Sequence, residues 1–156
     1  MKNKLSLAVS LALCFAAGGL GSIATSAKIP TWYAALAKPS WGPPNWIFGP
    51  VWSTLYALMA VAAWMVWTQR EQPGARGALM LFGMQLVLNM LWSFVFFGAE
   101  APGLAMAEIV VLWLAIAATI WTFRAIAPAA TWMLAPYLAW VSFASCLNFA
   151  IWRLNP

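Results

Sequence analysis

Three stretches of this sequence set aromatic rings beside uncharged amides and hydroxyls at helical spacing. Trp52 and Tyr56 lie four apart, with Asn45, Met59 and Ala63 extending the same face. Gln85, Asn89 and Ser93 follow at i, i+4 and i+8, with Trp92 and Phe96 alongside, and Tyr137, Trp140, Ala144 and Asn148 make a third stripe. Flat apolar rings with a few amide and hydroxyl groups are the chemistry of holding a ligand. The sequence has no His and no Asp, and Glu71, Glu100 and Glu108 are its only acids. A Ser-His-Asp triad, a His-based metal site and a His-ligated haem are therefore excluded, and neither a metal nor an obligatory cofactor is expected.

The elements that would position these residues are helices in a membrane. Of 156 residues, 65% are apolar and 7% charged, far outside the range of soluble domains. A transmembrane helix needs roughly 20 apolar residues, and five segments qualify: Leu5–Ser26, Trp46–Trp67, Ala78–Phe97, Gly103–Phe123 and Thr131–Trp152. The expected fold is an all-α integral membrane protein, a bundle of five transmembrane helices forming a single domain over 1–156. The first segment also fits a secretory signal peptide, with Lys2 and Lys4 before an apolar stretch and small residues near Ala24–Ala27; cleavage would leave four helices. Lys2, Lys4, Arg70, Arg76 and Arg124 fall on the amino-terminal side, against Lys28, Lys38 and Arg153 on the other, which favours a cytoplasmic amino-terminal side. The net charge of +5 is scattered over helix ends, a pattern of topology and lipid headgroups with no sign of nucleic acid. Cys14 and Cys146 fall in different halves of their helices and read as small packing residues, not as a disulfide pair.

Tryptophan is abundant, with 12 residues. Trp32, Trp41, Trp46, Trp64, Trp67, Trp121, Trp132 and Trp152 lie at or beside helix ends, where an interfacial belt accounts for them. Trp52, Trp92, Trp113 and Trp140 lie deeper and need a packing partner or a ligand. If alternate helices reverse direction, Trp52, Tyr56, Asn89, Trp92, Ser93 and Asn148 come to similar depth on the side of the long joint, 27–45. Four prolines (30, 39, 43 and 44) stiffen that joint, and Trp32, Tyr33 and Trp41 give it flat faces, so it reads as a lid or as an aromatic interfacial turn. The polar residues of the three stripes also suit interhelical bonding in lipid, which for Gln85 is an equal alternative. Glu108, inside the fourth segment, is either a functional acid or a packing residue.

Taken in order, Trp32-Tyr33-x-x-Leu36-x-Lys38-Pro39-x-Trp41-x-Pro43-Pro44, Trp52 with Tyr56, Gln85-x-x-x-Asn89-x-x-Trp92-Ser93, and Pro136-Tyr137-x-x-Trp140 with Asn148 resemble the tryptophan-rich sensory protein/translocator protein family (TspO/MBR). The resemblance runs from about Trp32 to Trp152. It implies a bacterial, multi-pass member whose first loop closes over a pocket for tetrapyrroles such as protoporphyrin IX, and in some members for sterols or benzodiazepine-type ligands. It also implies a homodimer in contact with lipid, acting as sensor, buffer or translocator, or in some bacteria as a light-dependent porphyrin-degrading enzyme. By motif matching, Tyr33, Asn89, Ser93, Trp140 and Ala144 would line the pocket, and Trp52 with Trp140 would match the pair linked to degradation.

For such a ligand Trp52, Trp92 and Trp140 could form walls, Lys38 and Asn89 could meet the carboxylates, and Trp32, Tyr33, Trp41, Tyr56, Ser93, Tyr137, Ala144 and Asn148 complete the candidate set. A metal-free porphyrin suits a site without His. The proposed sterol motif of the fifth helix is broken, because Phe149 stands where a Tyr is wanted. By the same resemblance, Glu108 matches a position where relatives often carry Asp. A proton-coupled exporter of the small multidrug type would need an acid in the first helix, and none precedes Glu71.

Overall fold

The computed structural model describes residues 2–156; Met1, with which the expected domain begins, lies outside the described residues. Long apolar runs without water must satisfy every backbone group internally, so they form helices, and five are long and apolar enough to span a membrane. They are α1 (Lys2–Lys28), α2 (Phe48–Thr68), α3 (Ala75–Ser93), α4 (Pro102–Ile126) and α5 (Pro128–Leu154). Each expected span falls on one of them, with displaced ends. Helix α1 runs two residues further than Ser26 and passes into a π-helical turn, Ile29–Tyr33. Pro30 does not stop it, because in a widened turn the missing N–H of a proline leaves no i−4 bond to break. Trp32 and Tyr33, expected in a loop, are therefore helical, and the irregular segment shrinks to the residues between 36 and 45. The joint expected at Arg124–Pro128 is one residue, Ala127, with Pro128 in the first turn of α5 where its lack of an N–H is harmless.

Around the bundle the helices follow the order α1, α2, α5, α4, α3, with α3 returning to α1. The half remote from the loop is solid. Ala60, Ala62, Ala75 and Ala130 are fully buried, and Met59, Val66, Phe82, Phe123 and Leu134 fill the space between them. Alanines let helix axes approach closely, which in lipid is the main source of helix association. Ser10 Oγ donates to the Ala60 carbonyl (2.7 Å) and Trp64 Nε1 to that of Asn3 (3.0 Å), fastening α1 to α2 at this end. Cys14 is buried and free; Cys146, expected as a packing residue, is exposed.

At the other end the connecting segment is fastened at several points. Asn155, just beyond α5, meets Ala37 like a neighbouring strand: the Ala37 N–H donates to its Oδ1 (3.0 Å) and its Nδ2 donates to the Ala37 carbonyl (2.9 Å). Lys28 pairs with Glu100 at 2.5 Å, tying the end of α1 to the turn before α4.

Candidate functional site

Under that segment the helices part around a cavity of about 470 Å³, a volume typical of small-molecule sites. Helices α1, α2, α3 and α5 line it, and α4 contributes no residue. Its floor is set by Tyr56, whose hydroxyl donates to Asn89 Oδ1 at 2.6 Å. Gly18 makes this possible, since a Cβ there would lie 2.4 Å from the Tyr56 ring. Trp52 stacks on Tyr56, with centroids 5.5 Å apart, and meets Tyr137 edge-on at 6.2 Å.

The far wall is aromatic and held by amides. Trp92 stacks on Phe96 (4.9 Å) and its Nε1 donates to Asn148 Oδ1 (3.1 Å), while Asn148 Nδ2 donates to the Pro102 carbonyl (2.8 Å). One asparagine thus ties α3, α4 and α5 behind the cavity. Trp140 lies edge-on to Phe48 at 5.9 Å, and its indole Nε1 is buried without a hydrogen-bond partner among the described residues. No cationic or acidic side chain lines the cavity. A flat apolar ring of suitable size fits between such walls, with Asn89, Ser93 and Asn148 as its polar neighbours.

Of the expected site residues, Tyr33, Trp52, Tyr56, Asn89, Trp92, Ser93, Trp140, Ala144 and Asn148 are brought together around the cavity. Four others stand outside its lining. Trp32 packs edge-on against Phe96 and Phe97, and Trp41 against Phe143. Tyr137 is wholly buried behind Trp52 and donates to Gln85 Oε1 at 2.9 Å. Lys38 is drawn into its own loop: Nζ donates to the carbonyls of Tyr33 (2.7 Å), Leu36 (2.9 Å) and Ala34 (3.3 Å) and sits 4.9 Å over the Tyr33 ring. Trp113, the remaining deep tryptophan, donates to Ser142 Oγ at 2.8 Å and joins α4 to α5.

The α1 wall was not expected. Phe15, Gly18, Gly19, Ser22, Thr25, Ser26 and Ile29 all line the cavity. The signal was present in Gly18, Ser22 and Ser26, spaced i, i+4 and i+8, which put a stripe of small residues on one face. Glu108 lies away from the cavity, with both carboxylate oxygens buried and unpartnered among the described residues. No cluster of three or more His, Cys, Asp or Glu occurs there either.

Fold and site together define a multi-pass integral membrane protein with an internal, aromatic-walled cavity. Residues 10–153 match the TspO/MBR family. The chain is 42% identical to the tryptophan-rich protein TspO of Chlorobaculum tepidum, over 99% of both chains. It is 40% identical to that of Archaeoglobus fulgidus, over 98% of this chain and 99% of the relative. To the human translocator protein it is 43% identical, over 80% of this chain and 75% of the relative. The chain belongs to the TspO/MBR family.

Proposed function

We propose that this protein is a membrane-embedded binding protein for porphyrins of the protoporphyrin IX type, acting as a sensor, buffer or translocator. The cavity carries the reading: about 470 Å³ between Trp52, Trp92 and Trp140, with amides, hydroxyls and indole N–H groups as its polar side chains and no charged one. Such walls suit a flat, apolar ring, and other neutral flat molecules such as benzodiazepine-type compounds fit the same description. Sterol recognition through α5 is disfavoured, because Phe149 lies on the outer surface at 50% exposure beside Trp152, without a hydroxyl to offer. The names of the relatives, sensory and translocator proteins among them, agree with a role in sensing or carriage. A homodimer belongs to the same reading; Met80, Met84, Val87 and Leu91 give α3 an exposed apolar row on which copies could meet.

Titration of the purified protein with protoporphyrin IX, followed by tryptophan fluorescence, tests the reading. Saturable quenching is expected, weakened at least tenfold in Trp140→Ala. Quenching that never saturates, or that is indifferent to Trp140, would remove the cavity as the site.

A second reading is favoured by one observation, that Trp52 and Trp140 both line the cavity. A porphyrin bound there would lie against two oxidisable indoles, so light and dioxygen could convert it to a degraded product. This predicts a new absorbing species that requires light and is lost in Trp52→Phe and Trp140→Phe. Undiminished product in both variants would reject it.

A further inference from the structure

The cavity is walled unevenly. On α3 and α5 every lining residue is buried or half-buried, whereas Gly19, Ser22 and Ser26 of α1, Gly49 and Ser53 of α2, and Asn45 just before α2, line it and are exposed. We propose that the cavity opens sideways into the bilayer through a slot between the loop-side halves of α1 and α2. A flat apolar ligand dissolved in lipid then reaches the site by this route and not past the loop. The ligand class rests on the porphyrin reading above; the slot itself does not.

Three observations carry it. First, the hydrogen bonds between α1 and α2 among the described residues lie beyond the cavity floor, Ser10 on Ala60 and Trp64 on Asn3, and Gly18 packs against Tyr56 at the floor itself. Above the floor, no hydrogen bond among the described residues joins them. Helix α1 leans instead on the end of α3 and the segment after it, where Gly21 fits against Ser93 and Ala24 against Gly98, and Lys28 pairs with Glu100. The loop-side halves of α1 and α2 are therefore not fastened to each other by any of these bonds.

Second, the lips of the slot are small and already satisfied. A Cβ added at Gly19 or Gly49 would meet no atom within 4 Å. The hydroxyls of Ser22, Thr25 and Ser26 donate to the carbonyls of Gly19, Gly21 and Ser22 in their own helix. A lipid-borne ring can pass such residues without stripping a hydrogen bond, which is costly in hydrocarbon. Third, the alternative route is fastened: Asn155 grips Ala37 through two hydrogen bonds and Lys38 caps three carbonyls of the same segment.

The test is stopped-flow quenching of tryptophan by protoporphyrin IX with the protein in phosphatidylcholine nanodiscs. Gly19→Leu/Gly49→Leu fills the slot where the chain leaves room, so the fold is spared; association should slow at least tenfold, whereas Asn155→Ala should change it less than twofold. A wild-type rate in the filled variant, or faster uptake in Asn155→Ala alone, overturns the slot. Absence of any quenching in the wild type would sink the porphyrin reading instead, and the slot is then decided without ligand. A nitroxide on Ser53→Cys, in a Cys146→Ser background, should collide with dissolved dioxygen within twofold of one on Val110→Cys, an exposed position of α4. Protection of Ser53 by more than fivefold would show a closed wall.

Discussion

The two halves of the bundle are made by the same five helices and have opposite characters. Helix α2 shows the contrast within one element: Met59, Ala60, Ala62 and Val66 are completely buried, whereas Gly49 and Ser53, nearer the loop, are exposed beside a cavity. Remote from the loop, small residues bring the helices together and Phe82 and Phe123 stack at 5.9 Å in the space left over. Near the loop, rings hold the helices apart and amides brace the rings. The difference separates stability from recognition. Packing contacts are lost outright when a filled site is emptied, whereas a wall around an existing cavity can lose a side chain without leaving neighbours unsupported.

The largest effect should come from emptying the solid half. Phe123 is fully buried, and Phe123→Ala is expected to lower the unfolding free energy by about 3 kcal/mol. That is the low end for such truncations, since lipid is as apolar as the core and only packing is lost. Denaturation of the helical circular dichroism signal in mixed micelles measures it, and a loss below about 1 kcal/mol would erase the contrast. At the boundary, Gly18→Ala forces its methyl into the Tyr56 ring and should destabilise by roughly 1–3 kcal/mol, an overpacking penalty. It should weaken ligand binding too, since Tyr56 is the floor; binding left intact would mean that the floor is not part of the site. Tyr56→Phe is milder. It removes the bond to Asn89, and an interhelical bond of this kind contributes about 0.6 kcal/mol on average. A cost above about 2 kcal/mol would make Asn89 a structural keystone and not a cavity donor.

Much of this was legible in the sequence. Apolar length located all five helices, and the i, i+4 stripes of α2, α3 and α5 did converge, because antiparallel neighbours bring equal depths together. What was not legible depended on partners or on departures from 3.6 residues per turn. Phe96 and Phe97 both line the cavity from the π-helical turn Phe94–Gly98, a departure from regular α-helix that the apolar run around them does not announce. The α1 wall was hidden for a different reason. Glycine and serine in an apolar run announce close approach or a processing site equally well, and only the fold shows that Gly18, Gly19, Ser22 and Ser26 line a cavity. Trp113 shows the limit of depth as a criterion, since a buried indole needs one acceptor and Ser142 of α5 provides it.

Lys38 gives the finest comparison between what residue types suggest and what geometry allows. A cation near the mouth of a porphyrin site invites pairing with the ligand's carboxylates, yet its ammonium group is already surrounded by the carbonyls of Tyr33, Ala34 and Leu36. No cation lines the cavity itself. Charge-assisted bonds are roughly twice as strong as neutral ones, so a site that used one would distinguish an acid from its ester sharply. Here protoporphyrin IX and its dimethyl ester are expected to bind within about threefold of each other, well under the tenfold that 1.4 kcal/mol represents. Competition between the two for quenching of the same tryptophans measures the ratio. A tenfold preference for the diacid that vanishes in Lys38→Met would mean that binding pulls the lysine out of its loop, making the segment over the cavity part of the recognition surface.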